Sequence, residues 1–319
     1  HFRVRSVDSS GNIGTSTDAT FTTIEGVSLC SDAGDCITLQ DDMIWVFLGD
    51  SITNAHGYSD YMETYFHLRY PELDLHFRGI GRGGATIPES TTGGRYDKLV
   101  YALSPDVVSE MFGHNGSFTA TEYRDQLIDL TDNYIIAKNG AIPVYFGPHP
   151  SNTSTGKPIL GTYTDELKAL GQSRDYVYAD IWQYLFNIWS PNLAAGSPVS
   201  LQEANGIHPG PSGHLAIAYA LLKEINAEAE VSSATINATN ATLTAQNHAT
   251  ISSIATTTDG IDFTRLDERL PMAWDDNAKE ILRLMPQVLD MNRYMLTVNG
   301  LSSGTYEIYV DGVLSGTTT

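Results

Sequence analysis

Between residues 43 and 226, short apolar runs alternate with stretches of helical periodicity. The first run, MIWVFL at 43–48, is apolar without interruption, which is typical of a strand buried on both faces. Further strands are predicted at 73–77, 106–112, 142–146 and 176–179. Strands that alternate with helices predict a parallel sheet covered on both faces. The expected fold class is therefore α/β: a three-layer α/β/α sandwich around a mostly parallel five-stranded sheet.

The spacing of apolar residues also predicts the covering helices. One helix begins near Tyr58 and stops at Pro71, because proline cannot continue a helix. A second carries an apolar stripe and ends at Asn139-Gly140; the stripe consists of Tyr123, Leu127, Leu130 and Tyr134. Further helices are predicted near 94–103 and 163–171, and a closing helix at 215–225.

The regions on either side of this core have different patterns. Residues 1–23 alternate apolar and polar positions around the turn signal Ser-Ser-Gly-Asn, which predicts two short strands in a hairpin, and residues 24–42 are interpreted as a linker. After residue 227 the composition shifts to Ser, Thr, Ala and Asn, which predicts a small β-rich appendage over 227–319. Within it we expect a helical stretch at 276–285 and a hairpin that pairs 294–298 with 306–310.

Composition and charge exclude several classes of function. The shares of 41% hydrophobic and 18% charged residues are typical of a globular protein. No apolar run approaches the roughly 20 residues of a membrane span. Eighteen Lys and Arg against 38 Asp and Glu give a formal charge of −20, which repels nucleic-acid phosphates. We therefore expect no nucleic-acid partner and no membrane span.

The two cysteines, Cys30 and Cys36, flank a short polar turn. They form a disulfide if the compartment is oxidising, or they are two unpaired thiols; both interpretations are open. Their spacing is too wide for a Cys-x-x-Cys redox motif. Because no other cysteine and no histidine cluster completes a ligand set, we expect no metal site and no cofactor.

A serine directly follows the first predicted strand, in the segment Gly49-Asp50-Ser51-Ile52-Thr53. The carboxyl ends of parallel strands are where α/β folds place their functional sites. The same tripeptide also ends strands by chance, so the hypothesis that Ser51 is a nucleophile depends on what the neighbouring loops contain.

Three further loops support it. The glycine-rich loop after the second strand lets backbone N–H groups approach a developing oxyanion, although a flexible turn would have a similar composition. Asn115, after the third strand, offers an amide donor, and His208, before the closing helix, offers a general base. A lone loop histidine often has no chemical role. Four suitable features on four loops at one sheet edge nevertheless predict an acyl-transfer site.

The ordered segments GDSIT, RGIGRGGATI, GHNG and NGIHP resemble the four sequence blocks of the SGNH (GDSL) hydrolase family, over residues 43–226. The resemblance implies a flavodoxin-like sheet, Ser51 as nucleophile and His208 as base. It also implies an oxyanion hole made of the Ser51 and Gly84 backbone amides and the Asn115 side chain. Gly84 aligns without a gap to the family's glycine. The implied function is a serine ester hydrolase that needs no metal.

One position departs from the family pattern. The family usually carries Asp three residues before its histidine, where this chain has Asn205. In a Ser-His-Asp triad, Asn at that position lowers turnover by about 10⁴ because the imidazole takes the wrong tautomer. Three interpretations are open: a backbone carbonyl or another acid such as Glu203 orients His208, Asn205 deamidates to Asp because Gly206 follows it, or the site is impaired.

The sequence therefore supports two candidate functions. The first is an esterase with a Ser-His dyad or triad, with Asn205 as the third member, that removes acetyl or other short acyl groups from carbohydrate. The second is a catalytically impaired module that binds carbohydrate or has a structural role in an extracellular assembly.

The segment FRVRSVDSSGN near the start of the chain resembles the last two strands of a fibronectin type III domain. That resemblance implies further domains in a longer parent chain and a secreted or cell-surface location. The region after 227 is similar to a β appendage found in a subset of bacterial SGNH esterases.

Overall fold

The computed structural model describes residues 5–7, 13–15, 27–30, 36–151, 158–194, 201–203 and 206–319. Near the start, β1 (Arg5–Val7) pairs antiparallel with β2 (Ile13–Thr15). Next, β3 (Ser28–Cys30) pairs antiparallel with β4 (Cys36–Thr38), and a Cys30–Cys36 disulfide joins them. Most of residues 1–23 lie outside the described residues, so the fibronectin type III fragment stays a prediction.

A parallel five-stranded sheet forms the centre of the molecule. Its strands are β5 (Ile44–Gly49), β6 (His76–Gly81), β7 (Val107–Met111), β8 (Ile142–Phe146) and β9 (Val177–Ala179). Their spatial order is β6-β5-β7-β8-β9, and every pair is parallel. The chain therefore leaves β5 on one side and returns on the other, which opens a crevice at the carboxyl ends of the strands.

Helices cover both faces of the sheet, as the alternating pattern predicts. In chain order they are α1 (Ser51–Asn54), α2 (Gly57–Arg69), α3 (Ile87–Ser90), α4 (Arg95–Leu99), α5 (Ala120–Asp129), α6 (Pro158–Arg174), α7 (Trp182–Ala194) and α8 (Pro211–Glu224). One core packs α2, α7 and α8 on one face, and the other packs α4, α5 and α6 on the opposite face. The three-layer α/β/α fold class is thus confirmed.

Several predicted elements differ from the structure in their bounds or in their type of helix. The second strand, predicted at 73–77, runs from His76 to Gly81, because its glycines pair through the backbone without supplying an apolar pattern. The helix predicted at 94–103 is α4 followed by a 3₁₀ turn at Tyr101–Leu103. α5 continues as a π-helix, Leu130–Asn139, which ends at Gly140 with φ of +66°. α7 was not predicted.

The region after residue 227 is rich in strands. They are β10 (Glu230–Asn237), β11 (Thr242–Asn247), β12 (Ala249–Thr256), β13 (Ile261–Asp267), β14 (Arg293–Asn299), β15 (Tyr306–Val310) and β16 (Val313–Thr318). Two 3₁₀ helices lie in or directly after the helical stretch predicted at 276–285: Lys279–Arg283 falls within it, and Pro286–Asn292 follows it.

The predicted hairpin between 294–298 and 306–310 is wrong. β14 instead pairs in parallel with β10, and β15 pairs antiparallel with β16. The reason is the dipeptide Asp311-Gly312, whose residues both have positive φ, at +50° and +78°. An Asp-Gly pair with that backbone is the strongest short-range hairpin signal, and it directs β15 to the strand that follows it.

No helix of the described residues is long and apolar enough to span a membrane.

Candidate active site

Ser51 lies at the turn between β5 and α1. Asp50 caps this short helix, because its Oδ1 accepts a hydrogen bond from the Ile52 N–H at 2.9 Å. Gly49 permits the sharp turn: a Cβ there would lie 2.1 Å from Thr53 Oγ1 and 2.8 Å from the Met111 carbonyl oxygen. The turn therefore holds Ser51 at the carboxyl edge of the sheet, where the sequence predicts it.

His208 reaches Ser51 from the loop before α8. Its Nε2 lies 2.8 Å from Ser51 Oγ, although the two residues are 157 positions apart. The loop is held by backbone bonds on both sides of the histidine: the Glu203 N–H donates to the His208 carbonyl at 2.8 Å, and the Gly210 N–H donates to the Leu201 carbonyl at 3.1 Å. A serine and an imidazole nitrogen at this distance can exchange a proton.

The structure also brings together the residues predicted for the oxyanion hole. Gly84 has φ of +74°, and its N–H makes no hydrogen bond to another described residue. The Asn115 Nδ2 donates to Asp50 Oδ2 at 3.1 Å and to the Ala85 carbonyl at 3.2 Å. The amide thus lies between the nucleophile turn and the glycine-rich loop, with both of its hydrogens directed to neighbouring oxygens.

Of the two side chains predicted to orient His208, the structure describes one. Asn205 lies outside the described residues, so its predicted role stays a prediction. Glu203, the alternative acid, lines the same cavity as Ser51 and His208.

This cavity has a volume of about 540 Å³ and opens beside the nucleophile. It is lined by Ser51, Asn54, Ala55, Gly57, Tyr61, Glu203, His208, Pro209, Gly210, Pro211, His214 and Asp275. Pockets of this size accept ligands considerably larger than an acetyl group.

Two buried histidines stand close to His208. Burial lowers the pKa of His149 to about 3, and a hydrogen bond of its Nδ1 to the Pro150 carbonyl at 2.8 Å opposes that shift only in part. Burial lowers the pKa of His214 to about 4, and the positive form is further disfavoured by His208. Both rings are therefore neutral at pH 7, so they add no positive charge near the Ser51–His208 pair.

A carboxyl group is buried beneath the nucleophile turn. Glu110, on the central strand β7, is fully buried, and burial raises its pKa well above the usual range. The nearby Asp50 raises it further. Both effects favour the neutral form of Glu110, which avoids a second buried negative charge beside Asp50.

One group of described residues has a geometry that could bind a metal ion. Ligand atoms of Asp42, Asp74 and His76 lie within 4.8 Å of one another. They lie at the amino end of the sheet, opposite Ser51, since Asp42 precedes β5 and His76 begins β6. Exposed acidic groups commonly approach each other in this way without a metal, and no step of the chemistry at Ser51 involves them.

Sequence reasoning missed three residues of this region. Glu110 had a local signal, because a charged residue interrupts the apolar run VVSEMF. His214 directly precedes the helix predicted at 215–225, and no chemical role is predicted for it. Asp275 had no local signal, since it reaches the cavity only through long-range packing.

Known proteins resemble the chain in sequence pattern and in fold. The model of the GDSL-like lipase/acylhydrolase family matches residues 47–216. A search of curated proteins found no significant match.

Two solved structures illustrate the likeness in fold. BT4096, described as a gut microbial diltiazem-metabolizing enzyme, has a TM-score of 0.71 and 20% identity, over 90% of this chain and 72% of that one. Axe2, an acetylxylan esterase from Geobacillus stearothermophilus, has a TM-score of 0.50 and 21% identity, over 59% of this chain and 96% of that one. Because the identities are only 20% and 21%, this structural likeness supports the fold alone.

Proposed function

Because the chain belongs to the GDSL-like lipase/acylhydrolase family, we propose that it is a serine ester hydrolase whose nucleophile is Ser51. The observation that carries this proposal is the 2.8 Å contact between Ser51 Oγ and His208 Nε2 beside a cavity of about 540 Å³. A hydroxyl group is a weak nucleophile until an adjacent base accepts its proton. The contact supplies that base.

The proposed reaction has two steps. His208 Nε2 takes the Ser51 proton while Oγ attacks the ester carbonyl, and the alcohol leaves with that proton. Water then attacks the acyl-serine, with His208 acting as base again, and releases the acid. The negative oxygen of each tetrahedral intermediate would be stabilised by the Ser51 and Gly84 N–H groups and by Asn115, once its amide turns from Asp50 or Ala85.

The substrate class that we propose is a short acyl ester, above all acetyl, on carbohydrate. The acetylxylan esterase with the same fold supports this choice by analogy. The size of the cavity supports it too, because a space far larger than an acetyl group leaves room for the alcohol portion of the ester.

We further propose that the protein acts outside the cell, joined to other domains. The Cys30–Cys36 disulfide supports this location, since disulfides persist in oxidising compartments. The segment that resembles a fibronectin type III domain is a second, independent reason.

The second candidate function is an impaired module that binds carbohydrate without cleaving it. The observation that favours it is Asn115, whose amide hydrogens are already engaged by Asp50 and Ala85. Asn205, in place of the usual Asp, points in the same direction.

Hydrolysis of p-nitrophenyl acetate by three proteins separates the two candidates. The wild type should exceed Ser51→Ala by about 10⁴-fold or more, because the nucleophile is lost. Equal rates would overturn the esterase proposal. The third protein, Asn205→Asp, grades the site: a gain approaching 10⁴ means that the natural site is impaired, and little change means that another group such as Glu203 orients His208.

A further inference from the structure

The C-terminal part of the chain supplies one wall of the cavity beside Ser51. Asp275 lines the cavity together with residues in or just before α2 and α8. The segment around it belongs to the main hydrophobic core, where it buries Met272, Ala278, Ile281, Met285 and Val288. The wall is therefore built into the α/β domain and is not a loose neighbour of it.

Two buried arginines fix the position of this segment. Arg69, at the end of α2, donates to the carbonyl oxygens of Glu228, Glu230 and Met291 at 2.5 to 2.7 Å. Arg269 pairs with Glu228 at 2.6 Å and donates to a carboxylate on the α2–β6 turn at 3.2 Å. Because breaking a buried charge pair is costly, the two ends of the segment stay in register with α2.

Asp275 is held in place at the cavity wall. Its Oδ2 accepts a hydrogen bond from the Tyr61 hydroxyl at 2.8 Å, and its Oδ1 accepts one from the Asn277 N–H at 2.7 Å. The Ser212 hydroxyl ties the same turn to α8 by donating to the Ala278 carbonyl at 3.2 Å. The bond from Tyr61 is the main reason that the pKa of Asp275 is lowered. A carboxylate oxygen has further lone pairs, so Asp275 can also accept from a ligand.

His214 supplies a donor to the same cavity. Its Nδ1 lies 3.1 Å from the Tyr58 backbone nitrogen and accepts that N–H, so in the neutral ring Nε2 carries the proton. The side chain is 6% exposed and lines the cavity, and Nε2 makes no hydrogen bond to another described residue. Gly57 leaves the room that the ring needs, since a Cβ there would lie 2.4 Å from His214 Cγ.

We propose that His214 and Asp275 form a hydroxyl-binding subsite for the alcohol portion of the ester, which selects neutral sugar alcohols over anionic ones. This inference rests on the proposed esterase function. A donor and an acceptor on one cavity match neighbouring hydroxyl groups, each of which both accepts and donates. The lining contains two carboxylates, Glu203 and Asp275, and none of its described residues is Lys or Arg, so an anionic alcohol is repelled.

The first experiment compares three substrates: p-nitrophenyl acetate, an acetylated methyl xyloside and an acetylated methyl glucuronoside, which is anionic. In Asp275→Asn, the ratio of kcat/KM for the xyloside to that for the glucuronoside should fall by about tenfold, because the repelling charge is gone. Asp276→Asn is the matched control, since it removes the neighbouring, exposed carboxylate. Its ratio should equal that of the wild type.

For His214 the informative pair is Asn and Gln. In His214→Asn the side-chain oxygen can still accept the Tyr58 N–H, but no donor reaches the former Nε2 position. The ratio of kcat/KM for the xyloside to that for p-nitrophenyl acetate should fall by about tenfold. His214→Gln places an amide near Nε2 and should restore part of the ratio. If both ratios stay at the wild-type value in the Asp275 and His214 variants, the subsite is overturned.

A binding measurement separates this proposal from the proposed function. In the Ser51→Ala background, methyl xyloside is titrated by NMR, and Asp275→Asn should weaken its binding several-fold. Hydrolysis of p-nitrophenyl acetate without any binding of the xyloside would overturn the subsite alone. Binding that depends on Asp275, in a protein that hydrolyses no ester, would overturn the esterase function and leave the subsite standing.

Discussion

The strands of the central sheet and those of the C-terminal region bury very different shares of their side chains. All five residues of β7 are buried, and β5 is buried over five of its six. β11 has no buried residue, and the C-terminal strands share only a small core of Ala234, Ile236 and Ile251. The central parallel sheet is covered on both faces, whereas the C-terminal pairs, which are antiparallel except for β10 with β14, leave much of their surface to solvent.

This difference explains where the chemistry lies. A catalytic pair must hold its geometry to within a fraction of an ångström, which requires rigid supports. Ser51 directly follows the buried strand β5, His208 lies just before the closing helix α8, and the two side chains meet at one edge of the sheet. The C-terminal strands provide no comparable edge, and their contribution to the cavity, Asp275, comes from the one segment of that region that packs into the α/β core.

The largest expected effect tests this division directly. His208→Asn should lower kcat/KM for p-nitrophenyl acetate by about 10⁴-fold, because the shorter side chain cannot accept the Ser51 proton. The matched change in the C-terminal region is His248→Asn, at a turn with φ of +49° that asparagine tolerates. That variant should keep wild-type kcat/KM. A large loss in both would mean that the C-terminal turn supports the active site, which contradicts the division.

Much of the α/β region could be predicted because its signals are local. An apolar strand, a turn and a helix follow one another within a few residues, and parallel strands place their carboxyl ends together. The positions of Ser51 and His208 followed from that rule and from the family resemblance. The bounds of β6 could not be predicted in the same way, since Gly79 and Gly81 join the sheet through backbone bonds alone.

Long-range packing set the limit of prediction elsewhere. β10 and β14 pair in parallel although 62 or 63 positions separate the paired residues, and neither strand carries a local signal for its partner. Asp275 reaches the cavity for a similar reason: buried arginines and apolar contacts carry its segment there. The composition shift near residue 227 marks where strands become exposed. The segment around Met285 lies after this shift and yet packs into the core of the α/β region.

An intermediate effect is expected from one substitution made in each kind of strand. Leu48→Ala, in β5, should destabilise the protein by about 3 kcal/mol, because it removes a fully buried side chain and leaves a cavity. Leu296→Ala, in β14, should cost less than about 1 kcal/mol, since that side chain is 38% exposed. Urea unfolding followed by circular dichroism and tryptophan fluorescence measures both. Equal costs would show that the C-terminal strands are packed as tightly as the sheet.

The smallest expected effect concerns the buried carboxyl of Glu110. Its pKa is raised in the folded protein, so above its ordinary pKa the folded state keeps a proton that the unfolded chain releases. Stability contributed by this group is therefore fully present at low pH and decreases as pH rises above the ordinary pKa of a glutamate. Glu110→Gln removes this dependence.

The free energy of unfolding in urea, measured at pH 4, 6 and 8, tests the sign. The advantage of Glu110→Gln over the wild type should be larger at pH 6 and 8 than at pH 4. Glu268→Gln, at the exposed residue directly after β13, controls for the loss of one negative charge. Parallel profiles for the wild type and Glu110→Gln would mean that this carboxyl is ionised beneath the nucleophile turn. Two negative charges, those of Glu110 and Asp50, would then lie together in the buried sheet edge. Only the solvated C-terminal strands are expected to tolerate such a pair of charges.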